Sequence, residues 1–96
     1  MITHIVIWKY RADVEQNLRD DHIAMLKQLP TTTHHIKTLS VGSDVLRLPR
    51  SYHTGLVATF QDQAALEAYT VDPEHTKVAD FGRNISEHVA SVDFES

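Results

Sequence analysis

The spacing of apolar side chains changes several times along this chain. Residues 2–10, ITHIVIWKY, alternate with the period of a strand, sending Ile2, His4, Val6, Trp8 and Tyr10 to one side and Ile5 and Ile7 to the other. Both sides are largely apolar, so both need cover. From 13 to 29 the period lengthens. Val14, Leu18, His22, Met25, Leu26 and Leu29 recur at steps that place them on one helical face. Asp13 is positioned to cap this helix, with Gln16 completing a capping box, and Pro30 is expected to end it.

A second strand is expected over 34–41, HHIKTLSV, and Gly42 then opens a long connection, GSDVLRLPRS. A third strand spans 52–60, YHTGLVATF. Asp62 heads a short helix bearing Leu66 and Tyr69. Asp72 heads another, running to about residue 87, with Pro73 at a first-turn position where a missing N–H costs nothing. The last strand, HVASVDFE, alternates Ala90, Val92 and Phe94 with polar residues. The order β-α-β-β-α-β predicts an α+β, ferredoxin-like sandwich, one domain over 1–96. Its helices cover one face of the sheet. The other, apolar through the first strand, predicts a homodimer with the two bare faces packed together, burying about 800 Å² per partner.

Composition narrows the functions. The 96 residues are 42% hydrophobic and 23% charged, as in ordinary globular proteins. No apolar run is long enough to span a bilayer. Met1 leads directly into a strand without a basic leader, so a cytoplasmic protein is expected. There is no cysteine, which excludes disulfides and thiolate chemistry. A net charge of −4, with scattered lysines and arginines, argues against nucleic acid. Seven histidines are many for this length and are the one compositional sign of chemistry.

Candidate chemistry concentrates in AYTVDPEH, residues 68–75. On one unbroken helix Tyr69 and His75 would diverge by about 240°. Pro73 excludes that helix by moving Asp72 out of helical geometry. The resulting turn brings both rings toward one pocket. His75 also shares an inward stripe with Val78, Gly82 and Ile85. On local physics alone, such a histidine reads first as a hydrogen-bonded core residue and second as a base.

The segments ITHIVIWKY, Leu39 to Gly42, Tyr52 to Phe81 and VASVDFE together resemble the stress-responsive A/B barrel family, over essentially the whole chain. The most specific piece is AY-x-x-x-PEH. The resemblance implies a ferredoxin-like monomer and a dimeric α+β barrel, and it does not imply one reaction. One member is a cofactor-independent polyketide cyclase. By resemblance to it, His4, Tyr69 and His75 are the candidate catalytic residues, with His75 as base and Tyr69 as donor to an enolate oxygen. His4 would orient a ring or contact the ligand. Thr54 stands where that cyclase has a histidine, and Asp72 where it has another, so the pocket lining differs.

Other residues have plainer readings. His22, on the helical stripe, is a partnered core histidine or a lining residue of the same cleft. Trp8 is a core aromatic that, with His22 and Thr54, completes the ligand-binding candidates. His34 and His35 point to opposite faces of a strand and cannot jointly hold an ion. His53 is expected on the dimer side, and His88 at the start of the last strand. Arg47 and Arg50 either meet an acidic ligand at the pocket mouth or are solvated. No metal or cofactor is expected. Two functions follow: a homodimer that binds a small organic ligand in a helix–sheet cleft with a stress-related role, or a cofactor-independent cyclase, isomerase or monooxygenase using a Tyr/His acid–base pair.

Overall fold

A computed structural model describes all 96 residues. Strand β1 (Ile2–Tyr10) leads into helix α1 (Gln16–Thr32), then β2 (Ile36–Ser43), β3 (Thr54–Phe60), helices α2 (Gln63–Thr70) and α3 (Pro73–Ile85), and β4 (Ser86–Glu95). The four strands form one antiparallel sheet in the order β2-β3-β1-β4. This is the α+β, ferredoxin-like sandwich expected from the pattern. No helix is long and apolar enough to cross a membrane.

Alternation decides which face is buried. Ile2, Trp8 and Tyr10 of β1 and Leu56, Ala58 and Phe60 of β3 pack beneath the helices. They meet Leu26 and Leu29 of α1, Leu66 and Tyr69 of α2, and Val78 and Ile85 of α3. The opposite face has no cover. There Ile5 stands between Val57 and Val92 in the strand register, and Val57, Val92 and Phe94 are all exposed.

Several boundaries depart from the pattern. Helix α1 begins at Gln16, and its N-cap, Glu15, makes no side-chain capping bond. Asp13 forms no capping box and pairs instead with Arg11. The reason is Val14, which is buried ahead of the helix in a turn closed by its N–H to the Arg11 carbonyl, 3.1 Å. Leu18, placed on the inward stripe by spacing, is exposed. Pro30 lies inside α1, which continues to Thr32. Burial of Leu26 and Leu29 holds the chain helical against the local preference of the residue before proline. The Thr33 N–H and hydroxyl both donate to the Leu29 carbonyl, at 2.9 and 2.8 Å, and close the end. Strand β2 starts at Ile36, so His34 and His35 precede it. Strand β3 starts at Thr54, leaving His53 just outside.

One close approach sets how α3 sits on α1. A Cβ added at Gly82 would lie 2.5 Å from Nε2 of His22 and 3.0 Å from Nε1 of Trp8. Only glycine lets the two helices and the sheet converge there.

Candidate functional site

The turn between α2 and α3 is built by two aspartates. Asp62 accepts a hydrogen bond from the Ala65 N–H at 2.9 Å and starts α2. Asp72, in extended geometry with ψ 127°, accepts from the Glu74 N–H at 2.9 Å and starts α3 at Pro73. The chain therefore bends between Tyr69, in the last turn of α2, and His75, in the first turn of α3. Their rings lie 4.0 Å apart, centroid to centroid, inclined by 34°.

Both rings line a cavity of about 200 Å³ between α3 and the sheet. Its apolar wall includes Val6, Trp8, Leu56 and Val78. His4 enters from β1, edge-on to Tyr69 with ring centroids 6.1 Å apart. Its Nδ1 is hydrogen-bonded to the Asp93 carboxylate, the residue directly opposite it on β4. That bond places a proton on Nδ1 and turns Nε2 away from Asp93. Arg83 borders the cavity about two helical turns along α3 from His75.

Electrostatics favour two neutral rings. Burial lowers the proton affinity of His75, and the nearby His4 adds to this; backbone groups of Thr70 and Tyr69 and the Asp72 carboxylate oppose it. Burial raises the Tyr69 pKa, and Asp72 raises it further. The imidazole is thus unprotonated and the phenol protonated near neutrality. No contact to the buried Nδ1 of His75 has ordinary hydrogen-bond geometry, although the backbone of Thr70 and Tyr69 lies close enough to pull on the ring's proton. A neutral acceptor and a protonated phenol inside an apolar hollow can bind a carbonyl or hydroxyl group, or move a proton to and from one.

A model of the stress responsive A/B barrel domain matches residues 2–96. The chain belongs to that family. No curated protein sequence matches it. Among solved structures, a dimeric ferredoxin-like protein of unknown function from Thermobifida fusca is 21% identical, aligned over 99% of this chain and 90% of its own, with a TM-score of 0.89. A dimeric protein of unknown function with a ferredoxin-like fold from Bacteroides fragilis is 23% identical over 99% and 95%, at 0.86. A hydroxynitrile lyase from Passiflora edulis is 18% identical over 97% and 90%, at 0.88. Identities this low show a shared fold and nothing finer.

Within this A/B barrel domain the sequence candidates separate into two groups. His4, Trp8, Tyr69 and His75 all line the cavity. His22 and Thr54 are not among its lining residues. Both are held by Tyr10, whose hydroxyl lies 2.7 Å from Nδ1 of His22 and 2.8 Å from Oγ1 of Thr54. His22 is completely buried, with Trp8 edge-on at 4.9 Å and Phe81 at 6.1 Å between ring centroids. Desolvation lowers its pKa to about 4. Arg47 and Arg50 lie away from the cavity mouth. His53 does not face the open side of the sheet as expected. It stacks on Tyr10 at 5.6 Å and accepts the Tyr10 backbone N–H, 3.0 Å. His35 approaches Asp72 at 3.4 Å, outside the cavity. Two residues at the site were not among the sequence candidates: Asp93, which holds His4 without lining the cavity, and Arg83, which borders it. Asp93 is found only through the β1–β4 register, whereas Arg83 was legible as the continuation of the helical face of His75.

Proposed function

We propose that this A/B barrel protein is a homodimer that binds a small, mostly apolar organic molecule in the Tyr69–His75 cavity. The reading is carried by one observation: the rings of Tyr69 and His75 lie 4.0 Å apart, centroid to centroid, and both line the same mostly apolar hollow. A hydrogen bond from either ring to a ligand is worth about 0.5–1.5 kcal/mol. The volume of about 200 Å³ is small, and it suits a single substituted ring or a short chain. A ligand with an apolar body and one hydroxyl or carbonyl fits these walls. The family is described as stress responsive, and we read the binding as serving such a response. The dimer is supported by the open apolar face of the sheet and by solved relatives described as dimeric.

The test is a calorimetric screen of small phenols and β-diketones against wild type, His75→Ala and Tyr69→Phe. A hit is expected to weaken about tenfold in each variant, the equivalent of one hydrogen bond at about 1.4 kcal/mol. Hits whose affinity is the same in all three proteins would remove the site from consideration. Conversion of a hit by wild type and not by His75→Ala would show that the pair performs proton transfer as well as binding.

A further inference from the structure

A second hollow, about 460 Å³, lies at the other end of the helix-covered face, beneath the connection between β2 and β3. It shares no lining residue with the Tyr69–His75 cavity, and its volume falls within the roughly 300–1,000 Å³ usual for small-molecule sites. Its character is opposite to that of the first. Arg19, Arg47, His53, Ser51 and Asp44 supply polar walls.

Arg19 is half-buried and fixed. Its Nε and Nη2 donate to the carbonyls of Val14 and Arg11, both at 3.1 Å, and its guanidinium lies 5.3 Å from the Tyr10 ring centroid. Its ion pairs are absent, whereas Arg11 and Arg83 each have a carboxylate partner. A held guanidinium with no ion pair of its own attracts an anion, and the single carboxylate on this hollow, Asp44, is outnumbered by Arg19 and Arg47. His53 presents a donor beside Arg19. Because Nδ1 accepts the Tyr10 N–H, the proton of the neutral ring sits on Nε2. Burial, then the charges of Arg19 and Lys9, hold the His53 pKa down against the pull of Asp44 and Glu87. Among the lining residues two cations, Arg19 and Arg47, stand against one carboxylate, Asp44, a positive balance in a chain of net charge −4.

The loop completes the arrangement. Arg47 occupies the left-handed region at φ 53°, uncommon for a residue with a Cβ. Its N–H donates to the Asp44 carboxylate at 2.6 Å, which occupies one carboxylate oxygen. Oγ of Ser51 accepts from the Leu48 N–H at 3.2 Å, so its own proton is free to donate.

We propose that this hollow is an oxyanion site, separate from the apolar cavity, for a small organic molecule carrying a carboxylate or phosphate. Arg19 and Arg47 supply the charge, and His53 Nε2–H and Ser51 O–H donate to the oxygens. It stands whether or not the Tyr69–His75 cavity binds a ligand. The test is an NMR titration of the full chain, ¹⁵N-labelled, with sodium phosphate and separately with sodium succinate, each against sodium chloride at equal ionic strength. Saturable shifts confined to the amides around Arg19, Arg47, Ser51 and His53 are expected, with a Kd of about 1 mM or tighter for at least one anion. The anion that saturates identifies the head group. Arg47 is exposed in a loop, so Arg47→Gln keeps the fold, checked by its urea midpoint, and weakens binding at least tenfold. Arg50→Gln removes the same charge outside the hollow and leaves binding unchanged. Shifts that match the chloride control, fail to saturate, or weaken equally in both variants would overturn the proposal.

Discussion

His22 is the ionisable side chain whose burial most affects folding. Assigning Nδ1–H as donor to the Tyr10 oxygen, and Tyr10 O–H as donor to Thr54, satisfies three polar groups in contact and leaves Nε2 as a bare acceptor rather than a stranded N–H, the less costly choice. Protonation would place a charge where no acceptor exists. The folded pKa of about 4 lies below the ordinary 6.5, so between these values the unfolded chain binds the extra proton. Stability is therefore full above pH 6.5 and falls as pH drops toward 4, by roughly 3 kcal/mol at the limit. His75, lowered in the same direction, adds to the fall. Urea unfolding at pH 7.5 and 5 checks this: wild type should lose stability on acidification, and His22→Gln should lose distinctly less. An equal loss in both would dissociate the effect from His22. The same geometry decides the sign at Gly82. Alanine normally stabilises a helix interior relative to glycine by up to about 1 kcal/mol. Here its Cβ would press on a fully buried imidazole at 2.5 Å, and overpacking of this kind costs about 1–3 kcal/mol. Gly82→Ala should lower the urea midpoint without changing the slope. Of the site residues, Tyr69 and His75 were legible because Pro73 dictates a local turn. His22 takes the first of its two expected roles, a partnered core histidine; the diversion of Thr54 was not legible, because it depends on where the Tyr10 ring ends, which only the packed sheet determines.

At the scale of elements, what was read correctly rests on local chemistry, and what was misread rests on burial. The strands announced themselves by alternation, and α2 and α3 by Asp62 and Asp72, whose caps form as their side chains dictate. Helix α1 carries equally good signals at Asp13 and Pro30, and both fail. The first fails because burying Val14 takes the preceding residues into a turn. The second fails because Leu29 gains more from the core than the proline junction loses. The Asp72 cap has a consequence beyond stability, since it fixes the direction in which His75 leaves the turn. Asp72→Ala should cost about 1 kcal/mol in urea unfolding and also weaken any ligand held by His75. Asp72→Asn keeps an acceptor for the Glu74 N–H and should recover most of the stability. If alanine and asparagine behaved alike, the carboxylate would be acting through His35, 3.4 Å away, and not through the cap.

For the whole molecule the decisive feature is imbalance between the two faces of the sheet. Only 17 of 96 residues are buried in the single chain, few for a domain that must stand alone. The missing burial is visible on the uncovered side, where Ile5, Val57, Val92 and Phe94 form an apolar surface around the central strand. Exposed patches of this type mark interfaces, and a twofold arrangement lets one patch cover its own copy. Val57 makes the sharpest test. It is exposed in the monomer, so lysine there leaves the single-chain fold intact, yet in a face-to-face dimer the ammonium would be buried without a partner. Such a charge costs about 3–5 kcal/mol, a weakening of at least a hundredfold. Sedimentation at micromolar concentration should give a species of twice the 10.9 kDa chain mass for wild type and the single-chain mass for Val57→Lys, with matching circular dichroism. Lys37→Glu, a charge change on the exposed edge strand β2, should leave the dimer intact. A wild type that sediments as a single chain throughout that range would require the apolar face to be covered by something other than a second copy.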